Sequence, residues 1–175
     1  MKLEEIINSS RSLARTGWML RGVPASIAES VSSHSFAAAL IALELAQRLG
    51  LDPYRSAAIA LVHDIAESRI GDIAKVANID EAKRSAEATA LDSLEVSAVI
   101  KGLVREYYDG NSDEALLARA ADLAATLLVS RYYRRLGFDV SEIEETSVEG
   151  LRLLARSWRL GDRLLSALRD LGVLE

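Results

Sequence analysis

Two adjacent residues, His63 and Asp64, interrupt an apolar stretch that reads Ala57-Ala58-Ile59-Ala60-Leu61-Val62 before them and Ile65-Ala66 after. A carboxylate in such a setting is costly to bury unless it is paired or bound to a cation. An isolated His-Asp pair also admits a plain arrangement, with the imidazole bonded to its neighbours and the carboxylate turned to solvent. Three features weigh against it. His34, in Ser32-Ser33-His34-Ser35-Phe36, is the only other histidine. Asp122 breaks a second alanine-rich run, Ala118-Arg119-Ala120-Ala121-Asp122-Leu123-Ala124-Ala125. Glu67 follows Asp64 and His63 at i+3 and i+4, where one helical turn carries its carboxylate over the same place.

Together His34, His63, Asp64 and Asp122 offer two nitrogens and two carboxylates. Imidazole with carboxylate suits Zn, Mn, Co, Fe or Ni rather than Ca, and does not choose among them. Such a cation activates water near neutral pH and polarises a phosphoryl group. Phosphate ester hydrolysis further needs the phosphoryl oxygens neutralised and the leaving oxygen protonated. Arg15 or Arg21 could present a planar fork to the phosphate. Glu67 could give the proton to the leaving oxygen or take one from water.

Helices must position these groups. Abundant Ala and Leu, only 2 prolines and 5 % aromatic residues favour helix over sheet. Leu3, Ile6, Ile7 and Leu13 predict a first amphipathic helix, then an irregular stretch from Arg15 to Ala28. An apolar helix carrying His34 near its start ends at Gly50, which fits a left-handed cap. Asp52-Pro53 opens the next, running through His63 and Ile65 to about Arg69. Residues 70–79 read as a loop, and Asp80 as the cap of a charged helix containing Lys83, Arg84 and Glu87. Further helices are expected over Val96–Tyr108, from Ser112 to Leu136, over Ser141–Ala155 and over Trp158–Leu171. The sum is one all-α domain over residues 1–175, a bundle of about seven or eight helices. With the turn centred on Leu51, His34 and His63 sit at levels differing by roughly 7 Å at about 1.5 Å per residue, a gap that long side chains and a crossing angle tolerate.

Composition narrows the partners. The chain has 175 residues, 21 Lys plus Arg against 26 Asp plus Glu, and no cysteine. That excludes disulfides, thiolate metal sites and a cysteine nucleophile. The acidic balance argues for a small anionic substrate rather than a polynucleotide. The most apolar stretch, Phe36 to Leu43, meets Glu44, so no membrane span is expected. Glu4 and Glu5 stand where a signal peptide has its apolar core, so the chain reads as cytoplasmic. Tyr107-Tyr108 and Tyr132-Tyr133 read as packing residues with wet hydroxyls, the Arg131 to Arg135 cluster as a complement to its helix C-terminus, and Trp158 as a core or interface anchor. The Lys83 helix reads as a solvated face without a catalytic role.

The order His34, His63-Asp64, Asp122 in an all-helical chain resembles the HD-domain superfamily of metal-dependent phosphohydrolases. Further words narrow the resemblance to the 5′-deoxynucleotidase branch: Arg15-Thr16-Gly17-Trp18, Arg21-Gly22-Val23, Glu29-Ser30-Val31, Leu61-Val62-His63-Asp64-Ile65-Ala66-Glu67, Gly71-Asp72-Ile73 and Ala121-Asp122-Leu123. The match covers residues 10–130, with 138–175 completing the bundle. It implies a divalent metal on His34, His63, Asp64 and Asp122, with Glu67 as general acid or base and Asp72 near the sugar and the attacking water. Arg15 and Trp18 fall near an Arg and a Trp associated with phosphate and substrate binding, and Arg21 is a substrate-binding candidate on the phosphate chemistry above. It implies removal of the 5′-phosphate from deoxyribonucleoside monophosphates, by a homodimer. The alternatives are HD phosphohydrolases acting on a triphosphate, cyclic dinucleotide or alarmone, and a catalytically weak nucleotide-binding protein. One position departs: relatives commonly carry an acid immediately before the first metal-binding histidine, where this chain has Ser33. Glu29 is the nearby candidate to compensate.

Overall fold

The computed structural model describes residues 1–73 and 80–175, and every regular element among them is helical. In chain order these are α1 (Leu3–Ser12), α2 (Thr16–Met19), α3 (Val31–Leu49), α4 (Pro53–Val62), α5 (Glu67–Ile70), α6 (Asp80–Ser93), α7 (Ala98–Asp109), α8 (Asp113–Arg135), α9 (Ser141–Ser157) and α10 (Gly161–Asp170). The all-α expectation holds, with eight helices of ten residues or more and two single turns. Residues 74–79 of the expected loop, and the capping role expected of Asp80, lie outside what is described.

Local chemistry sets most boundaries. The Ser30 hydroxyl accepts from the Ser33 amide at the start of α3, Asp52 accepts from the Tyr54 and Arg55 amides at α4, and Ser112 from Ala115 at α8. Gly50, with φ of 73°, closes α3 in the left-handed region. Helices α3, α4 and α8 pack on one another through small residues: Ala38, Ala42, Ala60, Ala118, Ala121 and Ala125 are all buried. Alanine faces let the axes approach closely, so the short side chains of Asp122 and the histidines can meet. Helices α9 and α10 complete the bundle through Leu151, Leu164 and Leu168, packed on Leu45, Leu117 and Leu127.

Gly161 opens α10 where a Cβ would lie 1.8 Å from the Ala155 carbonyl oxygen. Backbone cannot yield as a side chain does, so Gly161→Ala should cost at least about 2 kcal/mol. A differential scan reads this as a lower melting temperature; an unchanged melt would contradict the packing of α9 on α10.

Two expectations need correction. The helix from Pro53 does not continue to Arg69; it stops at Val62, a tight turn follows, and α5 begins at Glu67. His63 Nδ1 takes the Ala60 carbonyl at 2.7 Å, a side-chain bond that competes with the helical ladder. The following links run i to i−3, among them Ile65 to Val62, Glu67 to Asp64 and Arg69 to Ala66. Second, two of the four tyrosine hydroxyls, those of Tyr107 and Tyr133, bond to the protein rather than to water, while Tyr132 is exposed as expected. Tyr133 donates to Ile27 O and accepts from the Glu29 amide, and Tyr107 donates to Asp122. Trp158 is a core residue whose Nε1 donates to Asp113. Within the arginine cluster, Arg131 reaches the Gly172 carbonyl, and both Arg131 and Arg134 approach Glu144.

Candidate metal centre

His34 comes from the first turn of α3, His63 from the C-terminal end of α4 and Asp122 from the middle of α8. Both imidazoles are buried, and the ligand atoms of these three residues lie within 4.8 Å of one another. The imidazole centroids are 5.4 Å apart, so the packing of α3 on α4 brings the two rings together despite the axial gap estimated from the sequence. Asp122 Oδ1 lies 2.9 Å from His34 Nε2 and 3.8 Å from His63 Nε2. Asp64 adjoins this trio through His63, its Oδ2 lying 3.1 Å from Nε2.

His63 tests whether the set suits a cation. Its Nδ1 hydrogen is committed to Ala60, which leaves the Nε2 lone pair of a neutral ring pointing among carboxylates. Among the described residues Nε2 is buried with no hydrogen-bond partner, although the Asp64 oxygen lies 3.1 Å and the Asp122 oxygen 3.8 Å from it. Burial alone would lower the pKa of this imidazole, yet Asp64 and then Asp122 outweigh it and push it up to about 9. Asp122 is held far below the usual carboxylate range: burial opposes ionisation, but bonding to His34 and the nearby His63 and Arg15 prevail. This constellation calls for positive charge between the imidazoles and the acids, and His34, His63 and Asp122 can hold a divalent cation.

A supporting layer surrounds it. An isolated antiparallel bridge, Ala14 with Ser30, carries the chain before α2 alongside the start of α3. It sets Arg15 beside Glu29 and His34: Arg15 Nη1 is 2.7 Å from His34 Nδ1, 3.3 Å from Thr126 Oγ1 and 3.4 Å from Glu29 Oε2. Glu29 Oε2 also accepts from Trp18 Nε1 at 3.1 Å and lies 3.7 Å from His34 Nδ1. Arginine can only donate, so here His34 Nδ1 accepts from Arg15 while Nε2 carries the proton toward Asp122; ligation through Nε2 would move that proton to Nδ1, where Glu29 Oε2 is the carboxylate in reach in place of Arg15. Ser33 is exposed and spends its hydroxyl on the α3 cap with Ser30. The Tyr107 ring stacks on His63 at 4.9 Å, and its hydroxyl donates to Asp122 Oδ2 at 2.9 Å. Nothing in the spacing of Tyr107 marks it; only the packing of α7 on α4 and α8 brings it here.

The remaining expected site residues divide. Glu67 is buried, and burial together with Asp64 and Asp72 pushes its carboxyl up to about 9 against the opposing pull of Lys83 and Arg15. It therefore carries its proton at neutral pH. Asp72 accepts from the Thr16 amide and, through its backbone carbonyl, from the Thr16 hydroxyl, tying the Gly-Asp-Ile segment to α2. Trp18 is only 2 % exposed and packs on Tyr133, so it supports Glu29 from within rather than presenting a face to a ligand. Arg21 lies on the surface, paired with Glu142. The structure thus brings Arg15, Glu67 and Asp72 to the His-Asp group and leaves Arg21 apart from it.

Comparison with known proteins points the same way. A family model of the HD domain matches residues 7–152. The 5′-deoxynucleotidase HDDC2 of Danio rerio is 29 % identical over 159 residues, covering 86 % of this chain and 78 % of that protein. Its namesake from Dictyostelium discoideum is 31 % identical over 145 residues, 75 % of each chain. The crystal structure of a protein from Pyrococcus horikoshii superposes with a TM-score of 0.82 at 30 % identity, over 99 % of both chains.

Proposed function

Because the chain belongs to the HD domain family, we propose that it is a divalent-metal 5′-deoxynucleotidase, releasing inorganic phosphate and a deoxynucleoside from deoxyribonucleoside monophosphates. The observation that carries this reading is the buried, unpartnered Nε2 of His63 facing Asp64 and Asp122. His34, His63, Asp64 and Asp122 are the residues that would hold the metal, with Co, Mn, Zn, Fe and Ni all suited to the donor set. When bound, the cation supplies a water of lowered pKa and offsets phosphoryl charge.

The chain's own groups supply the rest. Glu67, protonated at neutral pH, is read as the donor to the departing 5′-oxygen, which would otherwise leave as an unstable alkoxide. Arg15 keeps its charge although half-buried, because Asp122, Glu29 and Asp64 outweigh the cost of desolvation. Its N–H groups beyond those given to Glu29 and Thr126 are offered to the phosphoryl oxygens. Asp72, anchored on Thr16, is assigned to the sugar side. Phe36, Leu40 and Leu43 recur at i, i+4 and i+7 on α3 and are exposed, an apolar stripe that supports a homodimer through this face. We read residues 1–175 as one domain. No described helix is long and apolar enough to cross a membrane, and we assign the enzyme to the cytoplasm.

The test is phosphate release from a panel of deoxy- and ribonucleoside 5′-monophosphates after loading with each of the candidate metals. Release from the deoxy substrates, abolished by chelator and restored by metal, is expected. Tight nucleotide binding without release under any metal would instead make the chain a binding protein.

A further inference from the structure

Lys83 projects from α6, a helix that reads from sequence as a solvated face, yet its side chain is only 18 % exposed. Its ammonium donates to the Ile73 carbonyl at 2.7 Å, and lies 3.6 Å from Glu67 Oε1 and 3.5 Å from Glu87 Oε1. Glu87 is itself buried, at 5 % exposure, one helical turn further along α6. The Ile73 contact is a hydrogen bond, and the two carboxyl groups flank the ammonium at ion-pair distance, so its remaining directions face acids of the chain itself. Burial alone would lower its pKa, but the acids around it more than compensate, and Glu87, Asp64 and Asp72 act on it even while Glu67 keeps its proton.

The partners of this one cation belong to different parts of the site. Glu67 opens α5, and Ile73 immediately follows Asp72. Glu67 Oε1 faces the ammonium, while Oε2 is buried with no hydrogen-bond partner among the described residues. A carboxyl group free to rotate would exchange these oxygens, and a proton donor must present one of them in a fixed direction.

We propose that Lys83, backed by Glu87, is a positioning residue for proton transfer, holding Glu67 by Oε1 and the Asp72 segment by the Ile73 carbonyl so that Glu67 Oε2 is the oxygen left for the reaction. This rests on the reading of Glu67 as the proton donor. Lys83 acts through Glu67 and touches neither substrate nor metal. Its removal should therefore slow turnover without changing metal retention or substrate affinity, and should have no effect once Glu67 is gone.

The experiment uses the metal-loaded full chain and compares wild type, Lys83→Met, Lys83→Arg, Glu67→Gln and the Lys83→Met/Glu67→Gln double variant, with a deoxynucleoside monophosphate as substrate. Lys83→Met should lower kcat by tenfold or more with KM and metal content within twofold, Lys83→Arg should recover most of the loss, and the double variant should match Glu67→Gln alone. A raised KM at unchanged kcat, or a further tenfold loss on the Glu67→Gln background, would overturn the proposal by making Lys83 an independent substrate contact. Unchanged kcat in Lys83→Met would also overturn it. Wild-type turnover in Glu67→Gln would instead sink the donor assignment itself, and that result is read without reference to Lys83. Should Lys83→Met fail to fold, Lys83→Gln, which can still donate to Ile73 O, takes its place with the same expected outcomes.

Discussion

Asp122→Asn is expected to abolish retention of a divalent cation and, with it, turnover. One oxygen of this carboxylate lies 2.9 Å from His34 Nε2 and 3.8 Å from His63 Nε2, while the other accepts the Tyr107 hydroxyl. Asparagine keeps the shape and removes the charge, so the two imidazoles lose the anion that makes a cation favourable between them. Loss of a partner one shell out typically weakens metal binding by about 10–100-fold, and loss of a ligand should exceed that. Arg15 also loses its foremost counter-charge, and breaking a buried ionic network costs about 3–5 kcal/mol, so the variant should melt lower. Metal analysis by mass spectrometry after gel filtration, on protein held well below its melting point, decides the matter. Wild-type metal content would remove Asp122 from the ligand set. Tyr107→Phe is the natural companion, since it withdraws only the hydrogen bond to Oδ2 and should weaken binding without abolishing it.

Glu67→Gln should lose most turnover while making the protein more stable. Removing a positioned general acid typically costs about 10²–10⁴ in rate. The stability gain follows from the same burial. The Glu67 carboxyl is pushed up to about 9 in the folded chain, against an ordinary value of 4.5. Between those values the folded state keeps a proton that the unfolded state has released, so stability falls as pH rises through this window. Glutamine cannot ionise and escapes that cost, which at pH 7 is on the order of 3 kcal/mol and corresponds to a melting temperature roughly 5–10 °C higher. The comparison belongs on chelator-treated protein, where only the chain's own charges act. At pH 4 the two proteins should melt alike, and at pH 8 the variant should melt higher. A variant that melts lower at pH 8 would count against a buried, protonated Glu67; one that turns over normally would count against its role in proton transfer.

The contrast between Glu67 and Lys83 shows which parts of the site could be read along the chain. Glu67 was visible because three residues separate it from Asp64 and four from His63, although the expected continuous helix is in fact interrupted there. In the tight turn that replaces it, the Glu67 amide bonds the Asp64 carbonyl from i to i−3, which keeps residue 67 one turn on from residue 64. Lys83 had no such signal. A lysine among Glu81, Arg84 and Glu87 has the pattern of a solvated face, and only the docking of α6 on α5 turns it inward. Arg15, Glu29 and Trp18 fall between these cases. Their types fitted a phosphate or supporting role, but their convergence on His34 depends on the bridge between Ala14 and Ser30 and on Tyr133, more than a hundred residues away, holding the Glu29 amide.

Residue types and short spacings suffice for the all-helical fold, the helix starts at Asp52 and Ser112, and the confinement of any metal site to two histidines and carboxylates. These are matters of propensity, side chains bonding their own backbone within a turn, and elemental inventory, all of which act over a few residues. Tertiary structure alone decided that His34, His63 and Asp122 lie within 4.8 Å of one another, that Tyr107 and Glu29 fix them, and that Arg21 stands aside while Lys83 turns in. Those outcomes depend on how closely alanine-faced helices approach and at what angle they cross, and these are set by packing summed over the whole core rather than by any local pattern.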